Sequence, residues 1–302
     1  MKYIIGTRGS KLALVQTKLV IKNLKSAYPQ DEVIAKVIKT TGDMDQKRRL
    51  DEIGSKGIFV KEIEDELLDG TISMAVHSMK DMPDEPAEGL IFAKAWKRED
   101  PRDVLILKKA ESLDELPYRA VIGTGSKRRA YQISAMRPDL KIVSIRGNVD
   151  TRIRKLKEGQ LCEGEILDGI VIAAAGIKRI GRADEITQYL SCDEMIPAPA
   201  QGTLAIELKA DNLDLLEKLN ALSDEAAQES VDAERSFLKQ IGGNCHLPVA
   251  AYCKRNDNGA FRLRAMFGTD DGSRLAFTDI TDDDTEKIVE RAVEEIRRQL
   301  EK

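Results

Sequence analysis

The stretch "KYIIGTRGSKLALVQTKLV" (2–20) returns later in the chain as "RAVIGTGSKRRAYQISAMRP" (119–138), with an apolar run, Gly-Thr, Gly-Ser-Lys and a helical pattern in the same order. Each copy reads as a strand that enters a small-residue turn and opens a helix; Leu12, Val15 and Leu19 fall at helical spacing in the first. Such a turn leaves free backbone N–H groups at the positive end of the helix dipole, where anions are favoured. The copies continue alike. "VIAKVIKTT" is a second strand, "GIFVKEIEDELLDG" a helix ended by Gly70, and "ISMAVHSM" a third strand with "KDMP" at its C-terminal edge. After the second copy, "KIVSIRGNVDTRIRKLKEG" gives strand, loop and helix, and "GIVIAAAGIKRIG" a buried strand and another loop. Alternating strands and helices predict two doubly wound α/β units with parallel sheets, whose ligands gather beyond the carboxyl ends of the strands.

The last part of the chain changes character. "VDAERSFLKQIGG" reads as a helix closed by glycines, and "PVAAYC", "FRLRAMF" and "RLAFTDI" as strands. "TEKIVERAVEEIRRQL" is an amphipathic helix through Ile288, Ala292, Val293, Ile296 and Leu300. A small C-terminal α+β domain is expected. With crossings at "REDPRD" (98–103) and the Pro-rich "IPAPAQG" (196–202), the predicted domains are 1–97 with 198–218, then 98–197, then 219–302.

Charge narrows the ligand class. The 302 residues carry a net charge of −4, yet between Arg119 and Lys155 ten Lys/Arg face two Asp/Glu. A nucleic-acid binder is usually basic overall, and aromatics are only 4% here. A basic segment inside an acidic chain suits a compact polyanion, the alternative being a solvated helix face with scattered arginines. With 42% apolar and 33% charged residues the chain should be globular. No apolar run approaches the ~18 residues of a membrane span, and the start lacks a secretory h-region, so a cytoplasmic location is expected. Cys162, Cys192, Cys245 and Cys253 form no CxxC pair and read as free thiols.

The candidate chemistry lies at predicted strand ends. Arg8, Arg128, Arg129, Arg146, Arg152 and Arg179 follow strands or lie on the helices those strands lead into. Guanidinium forks match carboxylates bidentately, and six exceed what one carboxylate needs, although any one of them taken alone reads equally as an ordinary salt-bridge partner of a helix acid. Lys80 and Asp81 together either offer a cation to an anion and a carboxylate to a developing cation or are plain surface polar groups at a strand end. His77 reads as a satisfied core histidine. In "IGGNCHLP" (241–248), Cys245 follows two glycines in an open loop, either as a nucleophile or attachment point or as a small buried hydrophobe. No metal site is expected, because the only histidines are His77 and His246 and the latter adjoins Cys245. The absence of GxxxxGK[ST] sets nucleotides behind polycarboxylates.

The motifs "TRGSKLALVQT", "KGIFVKEIE", "AVHSMKDMP", "GTGSKRR", "IRGNVDTR", "AAAGIKRIG", "PAPAQGTLAIE" and "GGNCHLP", in that order through nearly the whole chain, resemble the porphobilinogen deaminase (hydroxymethylbilane synthase) family. The resemblance implies a three-domain transferase of tetrapyrrole (haem and porphyrin) synthesis, with domains one and two similar to type II periplasmic binding proteins. The family joins four porphobilinogens head to tail into hydroxymethylbilane, releasing ammonia each time. Its primer is a dipyrromethane cofactor held on a cysteine by a thioether. Carried over by position, Cys245 is the attachment thiol. Asp81 is the catalytic carboxylate that contacts pyrrole N–H groups and steadies the azafulvenium cation left when ammonia departs. Lys80, Ser126, Arg128 and Arg129, with Asp81, are the expected cofactor binders, and Arg8, Ser10, Arg146, Arg152 and Arg179 the binders of substrate and growing chain. "GSKGIFV" (54–60) resembles part of a mobile loop over the cleft. The implied partner is small-molecule porphobilinogen, with no nucleic acid or membrane, and a monomer is expected.

Three departures from the family pattern stand out: Asn244 where Gly is common, Lys127 where Leu is common, and a long segment at 158–169 that reads as a surface extension carrying Cys162. A competing reading is a non-enzymatic two-lobed anion-binding protein or regulator effector domain. It would require neither Cys245 in an open loop nor the Lys80–Asp81 pair.

Overall fold

A computed structural model of the chain describes residues 1–40, 60–243 and 247–301. Most of the expected 54–60 loop, together with Asn244, Cys245 and His246, lies outside the described residues. The chain divides into two compact units, Met1–Arg98 with Thr203–Gln228, and Glu99–Gly202 with Glu229–Lys302.

The first unit begins with β1 (Lys2–Arg8), α1 (Lys11–Ala27), β2 (Glu32–Ile38), α2 (Lys61–Leu68), β3 (Met74–Ser78) and β4 (Leu90–Phe92). The second holds β5 (Asp103–Leu107), β6 (Val121–Gly123), α3 (Lys127–Met136), β7 (Lys141–Val143), α4 (Val149–Glu158), β8 (Leu161–Cys162), β9 (Glu165–Ile166), β10 (Gly169–Ala173), α5 (Ala174–Arg179) and β11 (Gln188–Leu190). The chain then returns to the first unit for β12 (Leu204–Lys209) and α6 (Leu213–Asn220). It ends with α7 (Glu225–Ile241), β13 (Val249–Arg255), β14 (Phe261–Gly268), β15 (Leu275–Asp282) and α8 (Thr285–Leu300).

The first sheet has the order β2-β1-β3-β12-β4. Strands β1, β2 and β3 are parallel, but β12 runs antiparallel to both β3 and β4. The second sheet, β11-β5-β10-β6-β7, keeps β10, β6 and β7 parallel and sets β5 antiparallel to β10 and β11. The purely parallel sheets expected from the sequence are therefore corrected to mixed ones. Alternation of strand and helix cannot reveal a strand that enters its sheet where the chain crosses from one unit to the other. β5 and β12 are the two strands that follow those crossings.

Burial follows the pattern. Ile5, Val20, Leu24, Met74, Val76, Trp96 and Ile206 form one core of the first unit. In the second, Ile106, Ile145, Ile153, Ile170 and Ile177 cluster on one side, and Leu105, Ile122, Ile133 and Val171 on the other. The antiparallel sheet β13-β14-β15 has its own core, in which Phe237 of α7 meets Leu263 and Ala265 and the Ile288, Val289, Ala292, Val293 and Ile296 stripe of α8. The 158–169 segment is the β8–β9 hairpin, with Leu161 and Ile166 paired and exposed. Cys162 is buried against the core. Cys253 is also buried, and among the described residues no disulfide joins Cys162, Cys192 or Cys253. No helix among the described residues is long and apolar enough to cross a membrane.

Candidate functional site

In the first unit, β1 and β3 run parallel with Gly6 beside Ala75, so their carboxyl ends share one sheet edge. Arg8 closes β1, and Ser10 caps α1, its Oγ accepting from Ala13 N at 3.3 Å. The hydroxyl proton can still be donated outward. β3 runs straight into a 3-10 turn, Met79–Asp81, pinned by Met79 N donating to Thr203 O at 3.0 Å. In that turn Met79 is buried, Lys80 half-buried and Asp81 exposed. The apolar anchor points inward and presents the two charged neighbours at the edge.

In the second unit, β6 and β7 end together, with Gly123 paired to Val143, while the parallel β10 pairs Ile170 with Gly123 and runs on beyond them to Ala173. Ser126 is the N-cap residue of α3, but its side chain makes no capping bond. Arg146 lies in the loop after β7. Gly147 follows with φ +112, and Asn148 caps α4 by accepting from Thr151 N at 2.9 Å. Arg152 on α4 donates from Nε to Gly147 O at 2.8 Å, folding back over the loop that holds Arg146. Arg179 ends α5 and donates from Nη2 to Gly202 O at 2.6 Å. Its Nε is buried with no hydrogen-bond partner among the described residues. Burial pulls its guanidinium down to about 10, partly offset by the Glu99 carboxylate, so it stays charged at neutral pH.

Arg128 and Arg129 are placed differently from the other arginines. Both are buried, and both grip Asp103. Arg128 Nη1 donates to Asp103 Oδ2 at 2.7 Å and to Ile196 O at 2.7 Å, while Arg129 Nε donates to Asp103 Oδ1 at 2.9 Å. Gln201 Nε2 adds a bond to the same Oδ1 at 3.0 Å. Burial alone would raise the Asp103 carboxyl; the charges of Arg128 and Arg129 overcome it and hold the group below the usual carboxylate range. Asp103 stands at this edge because β5 runs antiparallel, which sets its first residue opposite Ala173 at the end of β10. Lys127, third of the basic run, pairs on the surface with Asp270 at 2.5 Å. The sequence reading missed Asp103, although "RDVLIL" shows an acid opening an apolar strand.

The Pro-rich segment 196–202 is also fastened from within the second unit. Gln132 accepts from Ile196 N at 2.8 Å, Pro197 O accepts from Ala251 N at 3.0 Å, and Glu234 of α7 accepts from Ala200 N at 2.6 Å. No cluster of metal-ligating side chains is found among the described residues.

The sequence model "Porphobilinogen deaminase, dipyromethane cofactor binding domain" matches residues 3–217, and "Porphobilinogen deaminase, C-terminal domain" matches 228–298. The chain is 57% identical over 288 residues to the porphobilinogen deaminase of Lachnospira eligens, covering 95% of this chain and 96% of that one. It is 51% identical over 284 residues to that of Clostridioides difficile, covering 94% and 92%. Among solved structures, the methionine-binding protein MetQ is similar at 13% identity and TM-score 0.43, covering 80% of this chain and 96% of that one. The arginine-specific periplasmic binding protein STM4351 of Salmonella typhimurium is similar at 15% identity and TM-score 0.41, covering 75% and 93%. The non-enzymatic reading is set aside, and the chain belongs to the porphobilinogen deaminase family.

Proposed function

We propose that Asp81 is the catalytic carboxylate of this transferase, that Cys245 carries its dipyrromethane through a thioether, and that the remaining basic groups hold the carboxylates of cofactor and growing chain. The activity is the family's: head-to-tail condensation of four porphobilinogens into hydroxymethylbilane with loss of ammonia, in tetrapyrrole synthesis. The single observation that carries the assignment is the placement of Asp81, exposed beside Lys80 in a turn whose neighbour Met79 is anchored in the core.

The donor set suits a polycarboxylate. Arg179 keeps a buried, unpartnered Nε among the described residues, a group that a carboxylate oxygen would satisfy. Ser126 has a side chain uncommitted to its own helix, at an N-terminus that favours anions. When bound, dipyrromethane supplies the nucleophilic pyrrole carbon to which the first substrate is joined. Lys80, Ser126, Arg128 and Arg129 would bind its acetates and propionates, and Arg8, Ser10, Arg146, Arg152 and Arg179 those of substrate and product. For Arg128 and Arg129 this means donating from whatever N–H directions Asp103 leaves open, a positioning more than a primary charge. Asp81 would accept from pyrrole N–H and offset the positive charge that develops on the substrate as ammonia leaves. Amid so many guanidiniums that cation needs a fixed anion beside it.

The chain would act as a cytoplasmic monomer without nucleic acid or membrane. Within the second unit the separate core around Phe237, from Ala233 to Leu300, supports a third domain for most of the proposed 219–302 beside 98–197, while Leu219 and Leu222 pack in the core of the first, proposed as 1–97 with 198–218. Intact mass under denaturing conditions tests the assignment. The parent chain should exceed its encoded mass by a covalent adduct, and Cys245→Ala should not. Equal masses would overturn it.

A further inference from the structure

The last two side chains of β3 point to opposite faces of the sheet, and each meets a buried polar partner just ahead of the Lys80–Asp81 turn. On one face, Gln16 of α1, itself 4% exposed, donates from Nε2 to Ser78 Oγ at 2.9 Å. On the other, His77 Nε2 lies 3.3 Å from Oε2 of Glu207, a carboxylate of β12 that is fully buried. Glu207 pairs in register with Ala75, two residues before His77 on β3, so the contact runs diagonally across the two strands. It is within ion-pair range but off hydrogen-bond alignment, and neither Glu207 oxygen has a hydrogen-bond partner among the described residues.

A buried carboxylate with so little compensation costs stability, since an apolar residue could pack the same site. Its presence calls for a role beyond packing. The neighbouring acid on that face is Glu64 of α2, held above the ordinary glutamate range by burial first and then by the Glu207 charge, with His77 acting the other way.

We infer that Glu207, through His77, and Gln16, through Ser78, are positioning residues that fix the exit of β3 and hence the aim of Asp81. This rests on the reading of Asp81 as the catalytic carboxylate. The β12 ladder, which pairs Ser78 with Leu204 and His77 with Ala205, and the Met79 backbone bond hold the strand within the plane of the sheet; the two side-chain contacts, one on each face, add resistance to rotation about its axis. Displacement of a catalytic group by about 1 Å can cost about a hundredfold in rate, so loosening either brace should lower turnover while leaving the anion-binding groups in place.

The test is steady-state kinetics on porphobilinogen with full-length, cofactor-loaded Glu207→Leu, Glu207→Gln and Gln16→Leu, with Asp81→Ala as reference. Each variant is checked for the covalent adduct by denaturing mass and for its thermal midpoint. Expected are a kcat at least about tenfold lower for Glu207→Leu and Gln16→Leu, a KM within about twofold, a retained adduct, and substantial rescue of kcat by Glu207→Gln, which keeps shape and polarity. A folded, loaded Glu207→Leu with parental kcat would overturn the inference. So would a loss that appears only in KM, or one that tracks the fraction of unfolded protein in all three variants. Normal turnover by Asp81→Ala would instead remove the catalytic assignment itself.

Discussion

Arg128 Nη1 lies 2.7 Å from Asp103 Oδ2, and the two side chains are 4% and 0% exposed. With Arg129 Nη2 2.8 Å from the other oxygen, one carboxylate neutralises part of a basic pair that would otherwise be buried uncompensated. Asp103→Asn keeps the shape and removes the charge, leaving two guanidiniums in the interior. The expected loss is about 3–5 kcal/mol, read as a lower urea midpoint by circular dichroism. A midpoint within error of the parent would show that the pair is not structurally coupled.

The same carboxylate gives an acid limb. Its folded pKa is depressed by the arginines, so its contribution is fully present above the unfolded value of ~3.9 and is lost as pH falls towards the folded value. Urea midpoints measured from pH 5 down to pH 2 should therefore drop with acid in the parent. In Asp103→Asn the slope below about pH 4 should be shallower.

Gly147 separates Arg146 from the Asn148 cap at φ +112, and a Cβ there would lie 2.5 Å from Thr151 Cγ2. Gly147→Ala must displace the loop that aims Arg146 and receives Arg152. KM for porphobilinogen should rise roughly tenfold, the equivalent of about 1.4 kcal/mol, with a smaller change in kcat. An unchanged KM would argue against Arg146 and Arg152 as carboxylate binders.

Glu234 accepts from two backbone N–H groups, Ala200 at 2.6 Å and Cys253 at 2.9 Å, from the fully buried interior of the second unit. Glu234→Ala strands both donors. The expected destabilisation is about 3 kcal/mol, again by chemical denaturation, and Glu234→Gln should retain part of it.

Asp81→Ala should leave the thermal midpoint close to the parent's, since Asp81 is exposed, while turnover falls to near background. Near-normal steady-state rates would count against the assignment.

Much of this fold is legible in the sequence because local pattern and burial agree. The paired Gly-Thr, Gly-Ser-Lys turns do open helices α1 and α3, and the Ile288 to Ile296 stripe faces the terminal sheet. Strand direction is less legible. β5 and β12 carry apolar runs like those of the parallel strands, and only their partners distinguish them. That is why the basic run at Lys127–Arg129 read as one anion site. Composition shows the cations, but the buried acid that Arg128 and Arg129 hold stands 25 and 26 residues away and arrives through an antiparallel strand. Arg146, by contrast, lies in the loop after β7, and Arg152 and Arg179 lie on helices α4 and α5 that follow β7 and β10. His77 did fall in the core, but not as the satisfied histidine expected: its Nε2 makes no hydrogen bond among the described residues, and the carboxylate within ion-pair range of it is on β12, beyond any local pattern.

The position of β12 between β3 and β4 has a consequence for biosynthesis. During translation, at ~5–20 residues per second, the N-terminal sheet must wait with β4 detached from β3 until Leu204–Lys209 leaves the ribosome. The sheet spanning Asp103–Leu190 is by then already complete in sequence. The later-encoded lobe can thus close first, and a nascent chain stalled before Leu204 would present an open β3 edge for chaperones to cover.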